Sequence, residues 1–235
     1  FAYDWRVWAR PEQLWRPGPE TYTAYLSGRG WGKTRTGAQA VDYMARRPDL
    51  TGGRIIIAAR TAADMRETMI EGESGLLAVS HPDFFPRYEP SKARVTWPQN
   101  GTIAQLLSAD TPAAFRGPQC GFAWLDEWAH WPDPEAFSNL EMGLRLGPHP
   151  RCVITTTPIG SPQLISTIFE CDENGVPVPG DDLEGKKIAS DVRVVVGSTY
   201  DNRANLAASF VDKTIRKYEG TAIGAQELHG KIIMS

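Results

Sequence analysis

The sequence predicts an α/β fold with a mostly parallel central sheet and helices on both of its faces. Short apolar or β-branched runs alternate with longer helical stretches along the 235 residues, which is typical of parallel-sheet domains. A glycine-rich turn joins the first run to the first helix. The predicted strands are Tyr22–Leu26, Arg54–Ala59, Phe122–Asp126, Cys152–Thr156 and Val192–Val196, and the predicted helices are Thr34–Arg46, Ala62–Ile70, Glu135–Arg145 and Gln163–Phe169.

Local composition predicts a central strand and an antiparallel hairpin. After its first residue, Arg54–Ala59 is continuously apolar rather than alternating, as expected for a strand buried on both faces. Asn100-Gly101 lies between the strand-like runs Ala93–Trp97 and Thr102–Leu107, and this dipeptide favours a hairpin turn. We therefore expect an antiparallel addition to the parallel core.

The C-terminal third differs in character from the core. Ser209–Tyr218 and Thr221–His229 have helical composition, with Glu219-Gly220 between them. The stretch Cys171–Gly185 is rich in Gly, Pro, Asp and Glu, which predicts a mobile surface loop. A chain of this length fits one large domain.

Composition excludes several classes of protein. There is no run of about 18 apolar residues, so no membrane span or membrane partner is expected. The three cysteines show no metal-ligand spacing, and their odd number argues against a disulfide framework, so a reducing, cytoplasmic setting is expected. With a net charge of −3, overall charge gives no argument for nucleic-acid binding.

The segment Ser27–Thr34, with the sequence SGRGWGKT, has the layout of a phosphate-binding P-loop between a strand and a helix. Its predicted nucleotide-binding residues are Ser27, Gly28, Arg29, Gly30, Trp31, Gly32, Lys33 and Thr34. Glycines let consecutive N–H groups surround a phosphate, and the helix N-terminus adds positive charge. We expect Lys33 to reach the β- and γ-phosphates and the Thr34 hydroxyl to hold Mg²⁺. Ser27 departs from the pattern, because a glycine usually stands there.

A second motif supplies the acidic groups that such a site needs. Phe122–Asp126 is an apolar strand that ends in Asp126-Glu127, as in a Walker B motif. We expect Asp126 to coordinate Mg²⁺ beside Thr34, and Glu127 to act as the general base that polarises water. In isolation, an exposed Asp-Glu pair is common at a strand end, but the upstream P-loop favours the catalytic interpretation.

Three further features have both a functional and a structural interpretation. Thr155, Thr156 and Thr157 could sense the γ-phosphate and couple it to motion, or they could form a Thr-rich strand end stopped by Pro158. Arg116 and Arg29 are rival candidates for an arginine finger, or solvated surface cations. Gln13, in a tryptophan-rich N-terminal segment, could pair with the edge of adenine or could belong to core packing.

Together these motifs resemble the ATPase domain of the large terminase subunit, the DNA-packaging motor of tailed bacteriophages. The similarity covers the chain from about Arg10 to Lys231, and Ser27 is an accepted variation in that family. The combination is more specific than the P-loop and Walker B motifs alone. The matching segments are Arg10–Gln13, Gly28–Thr34, Phe115–Gly117, Trp124–Glu127, Thr155–Pro158, Ser198–Asn202, Asn205-Leu206 and Gln226–Lys231.

The resemblance implies a P-loop ASCE fold of the RecA-like type in a single domain, residues 1–235. Its core would span about residues 1–197, and a small helical lid or linker about residues 198–235. It also implies that Arg116 acts in trans at a neighbour's site, while Arg29 matches an arginine found in many terminase P-loops, so the finger stays open. Family members carry a C-terminal nuclease domain; we expect that domain to be absent here and this fragment to have ATPase chemistry only.

The implied function is ATP hydrolysis, with Mg²⁺, that drives double-stranded DNA into a procapsid. The implied partners are DNA, further copies of the chain in a homo-oligomeric ring, the portal protein and the small terminase subunit, in the cytoplasm of the infected bacterial host. Three alternatives stay open: a helicase-like ASCE ATPase unrelated to packaging, a P-loop kinase of small metabolites, and a nucleotide-gated scaffold without turnover.

Overall fold

The computed structural model describes residues 3–210, 213 and 215–233, and within them a single large sheet organises the chain. The strands are β1 (Tyr22–Ser27), β2 (Arg54–Ala59), β3 (Arg87–Glu89), β4 (Arg94–Trp97), β5 (Thr102–Ser108), β6 (Phe122–Asp126), β7 (Arg151–Thr156), β8 (Pro179–Leu183) and β9 (Val192–Gly197). Eight of them form one sheet in the order β3-β4-β5-β2-β6-β7-β1-β9. All neighbouring pairs from β5 to β9 in this order are parallel, whereas β3 and β4 pair antiparallel. The predicted α/β class, with its mostly parallel sheet and antiparallel addition, is confirmed.

Helices cover both faces of the sheet. They are α1 (Trp5–Trp8), α2 (Lys33–Ala45), α3 (Pro48–Thr51), α4 (Ala62–Asp64), α5 (Leu76–Val79), α6 (Glu135–Gly143), α7 (Pro162–Ile168), α8 (Ala208–Phe210), α9 (Arg216–Tyr218) and α10 (Ala222–Glu227). A π-helical turn, Met65–Ile70, continues α4. In the part of the chain that the structure describes, no helix has the length and apolarity needed to cross a membrane.

Two hydrophobic clusters make up most of the core, one on each face of the sheet. Ile55 and Ile57 of β2 belong to one cluster, and Ile56 and Ala58 belong to the other, because side chains alternate along a strand. This explains why β2 lacks alternation in its sequence: both of its faces are covered.

Helix α2 is anchored to β6 by an unusually close contact. The Trp124 ring lies so near the Gly37 backbone that a Cβ atom at position 37 would stand 2.1 Å from the indole. Trp124 in turn donates from Nε1 to Thr155 Oγ1 on β7 at 2.8 Å. One glycine therefore sets the spacing between the helix after the P-loop and the strands beneath it.

The predicted elements agree with the structure to within one or two residues over most of the core. Differences lie at the edges: β3 extends the hairpin to a third strand, and the predicted loop Cys171–Gly185 contains β8. That segment folds back on itself through bridges such as Cys171 to Pro177, so its polar composition prevents burial but not local backbone pairing. Within the predicted helix Ser209–Tyr218 the structure has α8 and α9, and residues 211, 212 and 214 lie outside the described residues.

Candidate active site

The C-terminal ends of the parallel strands bring the predicted motifs together around one cavity of about 800 Å³. Ligands commonly bind at this edge of an open parallel sheet. The predicted site residues that line the cavity are Arg29, Gly30, Gly32, Lys33, Thr34, Asp126, Glu127 and Thr157. We call it the phosphate cavity.

The P-loop backbone is held in place by side chains from distant segments. Thr199 Oγ1 donates to the Arg29 carbonyl at 2.7 Å, and Asn202 Nδ2 donates to the Gly30 carbonyl at 2.7 Å. Arg10 Nη2 donates to the Trp31 carbonyl at 2.6 Å. Because the C=O and N–H of a trans peptide point in opposite directions, the amides of the residues that follow face away from these clamps.

Glycine is required at two places in this loop. Gly32 has a φ of 100°, a left-handed conformation that caps the start of α2 and disfavours a side chain. Gly28 is packed against the chain near α10, where a Cβ atom would lie 2.6 Å from the carbonyl oxygens of Glu227 and Leu228. The spacing of glycines in the sequence thus reflects both conformation and close packing.

Lys33 is buried at the base of the phosphate cavity, with 7% of its surface exposed. Its ammonium group donates to the Ser27 carbonyl at 3.0 Å and to Thr157 Oγ1 at 3.1 Å. It also lies 3.6 Å from Glu127 Oε1. A buried ammonium with these contacts is oriented before any ligand arrives, which lowers the entropic cost of binding an anion.

Asp126 lies behind Lys33 and is enclosed by protein. Burial, together with the adjacent Glu127 carboxylate, raises the pKa of Asp126 to about 7. Thr155 Oγ1 donates to Asp126 Oδ1 at 2.6 Å and opposes this shift. A nearby cation would favour the ionised carboxylate for the same electrostatic reason.

The backbone of Glu127 is strained, with a φ of 46° in the left-handed region. This conformation turns its side chain from the line of β6 into the phosphate cavity, where 42% of it is exposed. The Thr157 amide donates to Glu127 Oε2 at 3.0 Å, and His130 Nε2 lies 3.8 Å from the same oxygen. Thr157 therefore contacts both Lys33 and Glu127.

The chemistry of this donor set fits Mg²⁺. The Asp126 carboxylate and the Thr34 hydroxyl both line the phosphate cavity, and Mg²⁺ prefers oxygen ligands. Among the described residues there is no cluster of three or more His, Cys, Asp or Glu side chains able to hold a metal. Mg²⁺ in phosphoryl-transfer sites usually takes one or two protein ligands and completes its shell with water and substrate phosphate.

The remaining predicted P-loop and threonine residues support the phosphate cavity from behind. The Trp31 side chain is buried against Tyr25, with 5.9 Å between ring centroids. Ser27 is fully buried, and its Oγ has no hydrogen-bond partner among the described residues. Thr156 Oγ1 accepts from the Ala129 amide at 3.2 Å, which fixes the turn after Glu127.

Gln13 lines a separate cavity of about 590 Å³ on the other side of α2. Its Nε2 donates to Thr36 Oγ1 at 3.2 Å, and its Oε1 accepts from the Arg10 amide at 3.2 Å. Gln13 also lies behind Gly32, since a Cβ atom at that glycine would stand 2.8 Å from Nε2. The side chain is thus adjacent to the P-loop, but one donor and one acceptor position are already occupied by the protein.

The two candidate arginine fingers occupy different places. Arg29 lies at the phosphate cavity, where its Nε stands 3.5 Å from Glu227 Oε2. Arg116 does not line this cavity; it is exposed and pairs with Glu135. Of these two arginines, Arg29 is therefore the one that can reach the cavity of its own chain in this conformation.

Several residues at the phosphate cavity were not predicted from the sequence. His130 follows Glu127 by three residues, a spacing that places it one turn further on the same side of a short 3₁₀ helix. The others come from the chain after β2 and from the C-terminal segment, and the sequence carries no motif for them. They include Arg35, Arg60, Asp64, Glu67, Glu73, Asn202 and Glu227.

Comparison with known proteins identifies the family. A family model described as terminase large subunit, T4likevirus-type, N-terminal, matches residues 24–235. The chain belongs to this family. A search of curated protein sequences finds no match.

Solved structures of large terminases share the fold of this terminase chain. The ATPase domain of the Thermus phage P74-26 large terminase aligns with a TM-score of 0.65 and 17% identity, over 96% of this chain and 94% of that one. The large terminase of another thermophilic bacteriophage, in complex with ADP, aligns with a TM-score of 0.65 and 11% identity, over 97% of this chain and 51% of that one. The same protein in complex with ATP-γ-S aligns with a TM-score of 0.63 and 13% identity, over 97% of this chain and 50% of that one. This terminase chain thus spans about half the length of that second protein, and the RecA-like fold that the motifs implied is confirmed.

Proposed function

We propose that this chain hydrolyses ATP as the motor domain of a large terminase subunit, and that hydrolysis drives double-stranded viral DNA into a procapsid. The observation that carries the proposal is the arrangement of Lys33, Glu127 and Thr157 at one cavity of a terminase-family fold. A phosphate-binding cation, a carboxylate base and a hydroxyl in contact with both are the groups that hydrolysis of a γ-phosphate requires.

In the proposed reaction, ATP places its phosphates against Lys33 and the amides of Gly30 and Gly32. Glu127 accepts a proton from a water molecule whose oxygen forms a bond to the γ-phosphorus. The bond from that phosphorus to the bridging β–γ oxygen breaks, and ADP and inorganic phosphate are the products. Mg²⁺ bound to Thr34 and Asp126 would neutralise part of the phosphate charge.

The remaining roles are assigned on chemical grounds. Gln13 would contact adenine with its free amide positions, and Thr155, Thr156 and Thr157 would transmit the state of the γ-phosphate to the sheet. Arg116 would act in trans at the site of a neighbouring copy in a homo-oligomeric ring, because it is exposed and remote from its own phosphate cavity. Arg29 is the alternative finger in cis. The portal protein, the small terminase subunit and the cytoplasm of an infected bacterium complete the proposed setting.

The decisive variant for the proposed hydrolysis is Glu127→Gln. Glutamine keeps an acceptor for the Thr157 amide but cannot take the proton from water. We expect phosphate release to fall by about 100-fold or more, with ATP affinity within about threefold of wild type. Phosphate release and equilibrium ATP binding are measured on the full chain, from dilute to concentrated protein, because a trans arginine requires neighbours.

A matched control is Glu170→Gln, which makes the same substitution in an ion pair with Lys187 remote from the phosphate cavity. This control should behave as wild type. Undiminished turnover in Glu127→Gln would contradict the assigned role. Wild type that binds ATP without turnover at any concentration would favour the scaffold, and phosphate that appears only with an acceptor would favour a kinase.

A further inference from the structure

The end of helix α10 is attached to the P-loop through the backbone. The Arg29 amide donates to the Glu227 carbonyl at 2.7 Å, and the Gly28 backbone is packed against the same carbonyl. Thr199 bridges the two segments, since its amide donates to the Leu228 carbonyl at 2.7 Å. The position of Glu227 relative to the P-loop is therefore well determined.

The side chains of Arg29 and Glu227 form an ion pair at the phosphate cavity. Their Nε and Oε2 atoms are 3.5 Å apart, beyond an ordinary hydrogen bond, and 72% of the Arg29 side chain is exposed. Glu227 is only 28% exposed, and its Oε2 is shielded from solvent without a hydrogen-bond partner among the described residues. A shielded carboxylate oxygen is costly unless a positive charge compensates it, so Glu227 attracts the Arg29 guanidinium.

Because Arg29 also lines the cavity where the phosphates are proposed to bind, two anions can attract the same guanidinium. From this arrangement we propose that Glu227 is a positioning residue that holds Arg29 at the cavity mouth and competes for it with the γ-phosphate of ATP. The inference rests on the proposed function of the phosphate cavity. ATP binding then breaks the Arg29–Glu227 pair, whereas ADP, which lacks the γ-phosphate, leaves the pair intact.

The proposal predicts a selective change in nucleotide affinity. Glu227→Gln removes the competing charge and keeps the size of the side chain and the backbone contacts. We expect ATP to bind roughly two- to tenfold more tightly, with ADP affinity unchanged, because a partly exposed ion pair of this kind has a modest strength. Glu227→Asp, which keeps the charge, should retain a preference for ATP over ADP close to that of wild type.

A double-mutant cycle separates competition from simple repulsion between Glu227 and the phosphates. ATP and ADP dissociation constants are measured for wild type, Glu227→Gln, Arg29→Ala and the double variant, with Glu170→Gln as the control. If Glu227 acts through Arg29, the effect of Glu227→Gln on ATP disappears in the Arg29→Ala background. Direct repulsion would give the same gain in both backgrounds and would overturn the proposal.

The possible failures are distinguishable. Equal ATP affinity in wild type and Glu227→Gln, with both proteins melting at the same temperature, would overturn the positioning role and leave the proposed function intact. Absence of any ATP binding by wild type would instead contradict the proposed function itself. A lowered melting temperature with unchanged affinity in Glu227→Asp would show that Glu227 has only a structural role.

Discussion

The base and the mouth of the phosphate cavity are built differently. The base, formed by Lys33, Asp126, Thr155 and Thr157, is buried, and its polar groups are joined by hydrogen bonds of 2.6 to 3.1 Å. The mouth, formed by Arg29, Glu127, His130 and Glu227, is partly exposed, and its ion pairs span 3.5 to 3.8 Å. The base thus has one arrangement, whereas the mouth can rearrange.

This difference corresponds to the two tasks of the proposed reaction. Phosphate binding benefits from donors that are fixed in advance, because little entropy is then lost when the ligand arrives. Groups that respond to the γ-phosphate must change partners between nucleotide states, and weak, solvated ion pairs permit this at low cost. Changes at the base should therefore have large effects on stability or turnover, and changes at the mouth should have smaller, nucleotide-dependent ones.

The largest expected effect is on the contact that supports the base from below. Gly37→Ala would place a Cβ atom 2.1 Å from the Trp124 ring, so helix α2 or the indole must move. We expect a loss of about 1–3 kcal/mol in the free energy of unfolding, typical of overpacking. Helix propensity alone predicts the opposite sign, a gain of up to about 1 kcal/mol. Denaturant unfolding measures which effect is larger.

Trp124→Phe provides the control for this prediction, because phenylalanine lacks the atoms that the new Cβ would meet. Gly37→Ala should cost less in the Trp124→Phe background than in wild type. An equal cost in both backgrounds would show that the glycine serves some purpose other than this contact.

A smaller effect is expected where the base meets the mouth. Thr157→Val keeps the shape and the backbone amide but removes the hydroxyl that accepts from Lys33. We expect turnover to fall by roughly tenfold, since loss of one buried hydrogen bond to a charged group costs about 1.5–3 kcal/mol, only part of which is specific to the transition state. Phosphate release at saturating ATP measures this change.

Thr157→Ser restores the hydroxyl and should recover most of the turnover. If Val and Ser variants lose activity equally, the methyl group rather than the hydroxyl matters. Turnover unchanged in Thr157→Val would instead separate this residue from the proposed chemistry, and the distinction between base and mouth would then need a different boundary.

The extent to which the sequence predicted the fold has a physical explanation. Strands such as β2 and β6 are buried on both faces, and continuous apolar runs specify them. The strand β3 is only three residues long and lies at the sheet edge, where composition is weakly constrained. The π-helical turn Met65–Ile70 has the composition of an α-helix, so only tertiary packing distinguishes it.

The candidate site was predictable where its chemistry depends on local spacing. The P-loop and Asp126-Glu127 are short motifs, and the structure places them at one cavity. Glu227 and Asn202 reach that cavity only because the C-terminal segment returns to the P-loop, a contact of high sequence separation that no local pattern encodes. The trans role of Arg116 depends on a second chain and stays a prediction.

The most direct test of the account is a structure of the assembled protein with Mg²⁺ and a non-hydrolysable ATP analogue. We predict that the γ-phosphate contacts Lys33 and Thr157, that Mg²⁺ contacts Thr34, and that Arg116 of a neighbouring copy approaches the same phosphate. Arg29 in contact with that phosphate, and Arg116 still paired with Glu135, would make Arg29 the finger. A nucleotide bound outside the phosphate cavity would contradict the account.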